Sequence, residues 1–405
     1  IHMQANKKQL LTIFLIIFID LLGFGLIIPI VPFYLQDFMQ APQQIGQILA
    51  ALITAAATMQ FIFNPIWGRL SDRIGRRPIL LMSTAGMALS HVFFALAPTL
   101  LLLFVSRILT GIFAATVPTA MAYISDITSE KERAKGMGLV GAAFGLGFIL
   151  GPAIGGILAD FGGYKFPLFG AAILSAFAFI LAYLTLTETV DTTQVKVRDY
   201  RRFNIVNLVN ALRHPLLGVL FLIFFTVNLA FANLETVFAL YIDKVFNYTT
   251  REAGYFFAMI GAISAFVQGV LIGPFSKRFG EKRLVSVSLI ILALSFILLA
   301  LAELVVLFTI FLAFIAFSLG LHNPSLTSLI SKNATKDEQG SVLGINQSFS
   351  ALGRILGPLW AGFFFDRFGA GIPFVTAGVL IFGAFLLSFG LYRRNLVQSS
   401  ELTAD

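Results

Sequence analysis

Apolar residues run along this chain in blocks of about twenty, set apart by short polar connections. A membrane-crossing helix needs about 20 mostly apolar residues. Twelve stretches meet that need, at 11–36, 43–67, 78–97, 99–126, 136–159, 164–187, 214–242, 252–275, 284–301, 304–331, 341–365 and 371–392. The longest connection, 188–213, falls between the sixth and seventh. There Phe203, Val206, Val209 and Leu212 recur at helical spacing beside Arg201 and Arg202, which predicts an amphipathic helix lying on the membrane surface. The expected domains are a tail at 1–10, a six-helix bundle at 11–187, a linker at 188–213, a second six-helix bundle at 214–392 and a tail at 393–405. Ile1-His2-Met3 reads as a cloning scar, which puts the expected natural start at Met3 with no signal peptide before the first span.

The two halves repeat. Residues 118–160 lie over 324–366 without a gap, a shift of 206 residues. Pro118 meets Pro324, Gly138 meets Gly344, Ile149–Pro152 meets Ile355–Pro358, Gly156 meets Gly362 and Asp160 meets Asp366. Six spans separate the copies, so both cross the membrane in the same sense. Parallel halves of this kind imply a central cavity reached alternately from each side. Within the first copy, Gly147, Gly151 and Gly155 share one helix face, with Pro152 and Gly156 beside them. Glycines four apart let a neighbouring backbone approach closely, and the proline removes a helical hydrogen bond and bends the span.

Composition and charge agree with this reading. Of the 405 residues, 58% are hydrophobic and 12% charged, where soluble domains average about 25% charged. There are no cysteines, so thiolate catalysis, disulfides and Cys-ligated zinc are excluded. The net charge of +8 is a topology signal and not a nucleic-acid footprint. Arg69, Arg73, Arg76 and Arg77, then Lys131, Arg133 and Lys135, then Lys196 to Arg213, Lys277, Arg278, Lys282 and Arg283, and finally Arg393 and Arg394 fall in one set of connections. The alternate set holds only Lys165, Lys244, Arg251 and Arg367, so both termini are expected in the cytoplasm. No phosphate loop, zinc spacing, nucleophile elbow or carboxylate dyad is present, which leaves an enzyme or an ATP-driven pump without support.

Ionisable residues inside the bilayer are costly, by at least ~2.5–3.5 kcal/mol, and each needs a partner or a role. Asp20 and Arg107 each lie about nine residues into their spans, near the midplane at ~1.5 Å per residue. They form either a static ion pair or a proton site beside a positive charge. Glu235 and Arg354 offer a second pair that is poorly matched in depth. Gln60, Asn228, Asn233, Gln268, His322 and Asn323 are the polar candidates for a substrate cavity. His91 and His322 read first as packed hydrogen-bonders. The phenylalanines, 44 of them, serve lipid and pocket alike.

At 64–81, "NPIWGRLSDRIGRRPILL", the chain resembles the major facilitator superfamily, whose loop signature is matched by Gly68, Leu70, Asp72, Arg73, Gly75, Arg76 and Arg77. The glycines suit a tight turn, and the basic residues suit the anionic inner leaflet. The second-half copy, "GPFSKRFGEKR" at 273–283, carries Lys277 at the aspartate position. "RILTG" at 107–111 resembles the family's fourth-span signature, "GLGFILGPAIGG" at 145–156 its fifth-span antiporter motif, and 19–35 the first span of drug/proton antiporters of the tetracycline-efflux branch. The resemblance implies twelve spans in two pseudo-symmetric six-helix bundles and a cytoplasmic latch to which Asp126 contributes. It implies a monomeric integral protein of a bacterial cytoplasmic membrane that exports small amphiphilic molecules against protons, with no cofactor beyond H⁺. A metabolite or siderophore exporter and a lipid flippase are the alternatives.

Overall fold

The computed structural model describes residues 7–39, 44–190, 211–334 and 339–390, and among these every regular element is helical. α1 (Lys7–Ile27) and α2 (Val31–Gln36) divide the predicted first span, because Pro29 lies in the turn between them and Pro32 opens α2. Then come α3 (Ile45–Ile74), α4 (Arg76–Leu96), α5 (Leu100–Phe113), α6 (Thr116–Ile127), α7 (Glu130–Gly162) and α8 (Lys165–Thr185). The predicted amphipathic helix falls largely on 191–210, outside the described residues. After it come α9 (Leu217–Phe246), α10 (Thr250–Phe279, with one π turn at Val267–Leu271), α11 (Glu281–Ala300), α12 (Val305–Lys332), α13 (Gln339–Phe368) and α14 (Ile372–Ser388).

Among the described residues ten spans are long and apolar enough to cross a membrane, with α5 and α6 together forming one of them, Leu100–Ile127. α14 is apolar but 17 residues long, about 26 Å of helix against a core of about 30 Å. α13 has 30 residues but carries Asn346, Gln347 and Arg354 in its middle. Large apolar side chains point outward on these helices: Phe161 is 83% exposed and Leu101 73%, as expected of a surface solvated by lipid rather than water.

The helices gather into two compact units. One takes residues up to Arg198 together with Ile242–Gly261, the other Asp199–Tyr241 with Ala262 onward. In the first, α1 lies along α7 and α8, and the buried side chains of Ile13, Ile16, Ile17 and Leu21 meet Tyr123, Ile124 and Ala143. α1 and α7 come close because both are smooth. A Cβ on Gly151 would stand 2.7 Å from Gly25 Cα, and one on Gly147 would stand 2.7 Å from Leu21 Cβ. In the second unit α11 packs on α12 and α14, and the Tyr241 ring stacks on Phe308 and meets Phe374 edge-on. Here Gly353 and Gly357 of α13 lie against Leu229 and Ala232 of α9.

The span read as continuous at 99–126 is broken. α5 ends at Phe113 and α6 starts at Thr116, and between them Ala114 leaves the helical path with ψ 50°. Pro118 has no N–H to give the carbonyl of Ala114. The carbonyls freed at the break find other donors: Trp67 Nε1 donates to Ile112 (2.5 Å), while Phe113 accepts from Ser83 Oγ (2.5 Å) and from the Ala115 N–H (2.7 Å), which also lies 3.2 Å from Ser83 Oγ. In a membrane interior such partners are what makes a broken helix tolerable.

Candidate functional site

Asp20 sits two-thirds of the way along α1 and faces the start of α6. Its carboxyl Oδ1 is 3.3 Å from Thr116 Oγ1, which in turn is 2.8 Å from Ser83 Oγ on α4. The expected Asp20–Arg107 pair is not made. Arg107 is buried on α5, with its guanidinium 3.8 Å from the centre of the Phe94 ring, an attraction between a cation and a π face. Its Nε and Nη2 have no hydrogen-bond partner among the described residues. The two side chains have different neighbours, Asp20 having Thr116 at the start of α6 and Arg107 having Phe94 on α4. His91 of α4 is buried and bonds Ser175 through Nδ1 (3.3 Å), the packed role read from sequence.

The loop signature forms a second cluster, entirely within the first unit. Arg76 reaches Asp72 (2.5 Å), Asp126 (3.1 Å) and the Ser71 hydroxyl (2.6 Å). Arg77 donates to the Tyr183 carbonyl (2.9 Å) and lies over its ring. Arg73 is exposed in the last turn of α3. Of the two glycines expected to make the turn, only Gly75 does so. It joins α3 to α4 with φ +108°, whereas Gly68 lies inside α3 with open space around it. A residue that the motif does not contain completes the turn. Glu188, just past α8, accepts from the backbone N–H groups of Arg76 (2.8 Å) and Arg77 (3.1 Å), capping α4, and occupies the space a Cβ on residue 75 would need. Thr189 beside it donates to Asp126 (3.1 Å).

α7 presents two small faces. Gly147, Gly151 and Gly155 meet α1 from Leu21 to Leu26, so the expected close approach is made, and its partner is α1. Gly156 faces a different neighbour, since a Cβ on it would stand 2.6 Å from the Thr250 carbonyl, and the backbone at Pro152 and Phe148 lies against Gly254 and Gly261 while the side chains of Pro152 and Phe148 touch α1 at Gly25 and Phe24. This end of the first unit is tied further by Arg251–Asp160 (3.4 Å) and by Gln36 donating to Asp243 (3.3 Å). Tyr164 sits here, and burial, reinforced by Asp37, Asp243 and Asp160, raises its phenol above the usual tyrosine value.

In the second unit Glu235 is half-buried on α9 and Arg354 exposed on α13. Their charges are close enough to act on each other, yet they form no ion pair within 4 Å among the described residues. Three of the six polar cavity candidates hold helices together. Asn228 accepts from Ser350 (2.8 Å), Asn233 donates to the Pro373 carbonyl (3.0 Å), and His322 Nδ1 bonds Ser288 Oγ (3.1 Å). Gln60 is half-buried, while Gln268 and Asn323 are exposed on α10 and α12.

Repeated apolar helices, a polar core inside the membrane and a charge cluster at a helix joint define a polytopic membrane protein built around buried ionisable groups. The family model described as Major Facilitator Superfamily matches residues 13–358, with a further match over 267–404. The chain belongs to the Major Facilitator Superfamily. It is 36% identical over 357 residues to the class G tetracycline resistance protein of Vibrio anguillarum, covering 87% of this chain and 89% of that one. It is 33% identical over 404 residues to multidrug resistance protein 2 of Bacillus subtilis (strain 168), covering 97% and 98%. Among solved structures, the human organic anion transporter MFSD10 superposes with a TM-score of 0.69 at 25% identity, over 94% of this chain and 99% of that one.

Proposed function

We propose that this protein is a proton-coupled exporter of amphiphilic drugs, with twelve spans in two six-helix bundles, α13 and α14 completing the second. Both termini lie in the cytoplasm, and the protein works as a monomer in a bacterial cytoplasmic membrane. The observation that carries the reading is Asp20: a carboxyl inside the membrane whose one hydrogen-bonded neighbour is a hydroxyl, with no cation within ion-pair distance among the described residues. Such a group suits a site that gains and loses a proton as its surroundings change, where a fixed ion pair would not. Full-length kinship with proteins named for tetracycline and multidrug resistance favours drugs over a metabolite, siderophore or lipid as cargo.

In the cycle, a proton from outside neutralises Asp20 and allows return to the inward-facing state. Substrate then binds from the cytoplasm, the proton leaves inward, and the loaded cavity opens outward. Glu235 is the second proton-carrying candidate, with Arg354 as its nearby cation. The Arg76 cluster with Asp72 and Asp126 holds the cytoplasmic ends of α3, α4 and α6 together. Everted membrane vesicles with an acidic interior provide the test. Tetracycline or ethidium added outside is expected to collapse part of the gradient in vesicles carrying the protein and not in vesicles lacking it. An equal response in both would overturn the reading.

A further inference from the structure

The contacts running from Asp20 to the break in the α5–α6 span contain more acceptors than hydroxyl hydrogens. Three oxygen–oxygen contacts lie in series, Asp20 to Thr116 (3.3 Å), Thr116 to Ser83 (2.8 Å) and Ser83 to the Phe113 carbonyl (2.5 Å), and the Ala115 N–H is shared between Ser83 Oγ (3.2 Å) and that carbonyl (2.7 Å). Each needs one hydrogen between its oxygens, and the two hydroxyls supply one each. A carbonyl has none to give, so Ser83 donates to Phe113, Thr116 donates to Ser83, and the third hydrogen must come from Asp20. The arrangement is complete only when Asp20 is protonated. When the proton leaves, Thr116 turns to donate to the carboxylate. Ser83 must then either follow Thr116 and leave Phe113 to the Ala115 N–H alone, or hold Phe113 and leave two lone pairs facing each other.

The repeat supplies an internal comparison. α4 begins after Gly75 and α11 after Gly280, both with positive φ, a register that pairs Ser83 with Ser288. The shift of 206 pairs Thr116 with His322 and Pro118 with Pro324, and His322 and Ser288 are bonded as Thr116 and Ser83 are. Matching the glycine contacts of α1 and α9 pairs Asp20 with Val227. The second unit thus keeps the polar contact and the proline but has no acid at the matching position, and there α12 runs unbroken through Pro324. A proline alone does not break this span. The break accompanies the acid and the serine cap on a freed carbonyl.

We propose that Thr116 and Ser83 are positioning residues that form a hydroxyl relay: a proton on Asp20 fixes the Ser83 hydroxyl on the Phe113 carbonyl at the break, and loss of that proton frees the hydroxyl and leaves the carbonyl to the Ala115 N–H. This rests on the reading of Asp20 as the proton site. Among the described residues no other ionisable group bonds Asp20, and the nearest one placed against α1 is His91, whose ring carbon lies 3.9 Å from where a Cβ on Gly23 would stand. On the helices packed against α1, α6 carries Tyr123 and Asp126, committed to Thr187 and to Arg76 and Thr189. α7 from Gly136 to Ala159 and α8 from Phe166 to Ala182 carry none. His91 on α4 and Arg107 on α5 make no hydrogen bond or ion pair to Asp20, His91 bonding Ser175 and Arg107 lying over Phe94.

Infrared difference spectra against pH, taken on the full-length protein in lipid without substrate, read the acid directly. A protonated-carboxyl band that disappears in Asp20→Asn is expected. In Thr116→Val, which keeps the shape but removes the acceptor, that band shifts to higher wavenumber, and Thr116→Ser restores it. Hydrogen exchange of the peptide spanning 112–118 reads the other end of the relay. In the unaltered protein its protection follows the same pH midpoint as the band, and in Ser83→Ala that dependence is lost while the band remains. A band assigned to Asp20 but unmoved in Thr116→Val overturns the relay and leaves the proton site standing, as does protection in Ser83→Ala that still tracks the band. Absence of any band dependent on Asp20 overturns the proton site and the relay with it.

Discussion

Glu188 belongs to no motif, yet its carboxylate closes the N-terminus of α4 and fills the space that Gly75 leaves open. Removing a helix cap costs about 1 kcal/mol, so Glu188→Ala is expected to lower the thermal unfolding midpoint modestly in detergent. Gly75→Ala should lower it further, since the new Cβ meets both the positive φ and the Glu188 carboxylate. Equal midpoints for Gly75→Ala and the unaltered protein would contradict this account of the turn. At this scale the sequence showed the charged positions but not their partners. Asp20 stands out because an acid in an apolar span is costly wherever it points. Its pairing with Arg107 does not follow, because counting residues gives depth along a helix and not the direction its side chain faces. Ser83, Thr116 and Glu188 went unread for the opposite reason: hydroxyls are ordinary in membrane helices, and a carboxylate in a loop has no need of a partner until the fold brings a helix end to it.

At the scale of elements, α7 divides its small residues between two neighbours, and the division is testable. Gly151→Leu forces a side chain into the α1 backbone, where overpacking costs typically ~1–3 kcal/mol or more. It is expected to abolish stable folding by fluorescence-detected size exclusion. Gly138→Leu, on the same helix but with open space around it, should elute as the unaltered protein does. Gly156→Leu leaves the α1 contact intact and strikes Thr250 and Arg251, so it should fold and lose export of ethidium. If Gly151→Leu and Gly138→Leu behave alike, the close packing of α1 on α7 is wrong. The four-residue glycine spacing was legible because that face has few other uses. The break between α5 and α6 was not: Pro118 marks a possible site, but Pro324 at the matching position leaves α12 straight. What differs is the set of side chains waiting to receive the freed carbonyls, and these come from α3 and α4.

Across the whole molecule the repeat governs packing more strictly than chemistry. Leu22 and Gly25 face the α7 glycines as Leu229 and Ala232 face those of α13, so one helix-pairing scheme is used twice. The ionisable residues do not follow it, since Val227 stands at the position of Asp20 and Ile28 at that of Glu235. Moving the acid across the repeat is therefore expected to fail: Val227→Asp combined with Asp20→Asn should not regain export, because His322 and an unbroken α12 stand where Thr116 and the break would be needed. Regained ethidium export in that double variant would show that position within the repeat, rather than local hydrogen bonding, sets the proton site. The all-helical, membrane-spanning character, the repeat and the charge asymmetry were all readable along the chain. What periodicity could not give was the grouping of Ile242–Gly261 with the first unit, which depends on contacts far apart in sequence.

The central claim is that Asp20 carries the proton exchanged for substrate, and proteoliposomes holding purified protein separate that role from binding and folding. With Asp20→Asn, exchange of labelled tetracycline or ethidium between the two faces, with no proton gradient, is expected to persist. Accumulation driven by a pH gradient is expected to vanish. Gradient-driven accumulation that survives intact in Asp20→Asn would contradict the account.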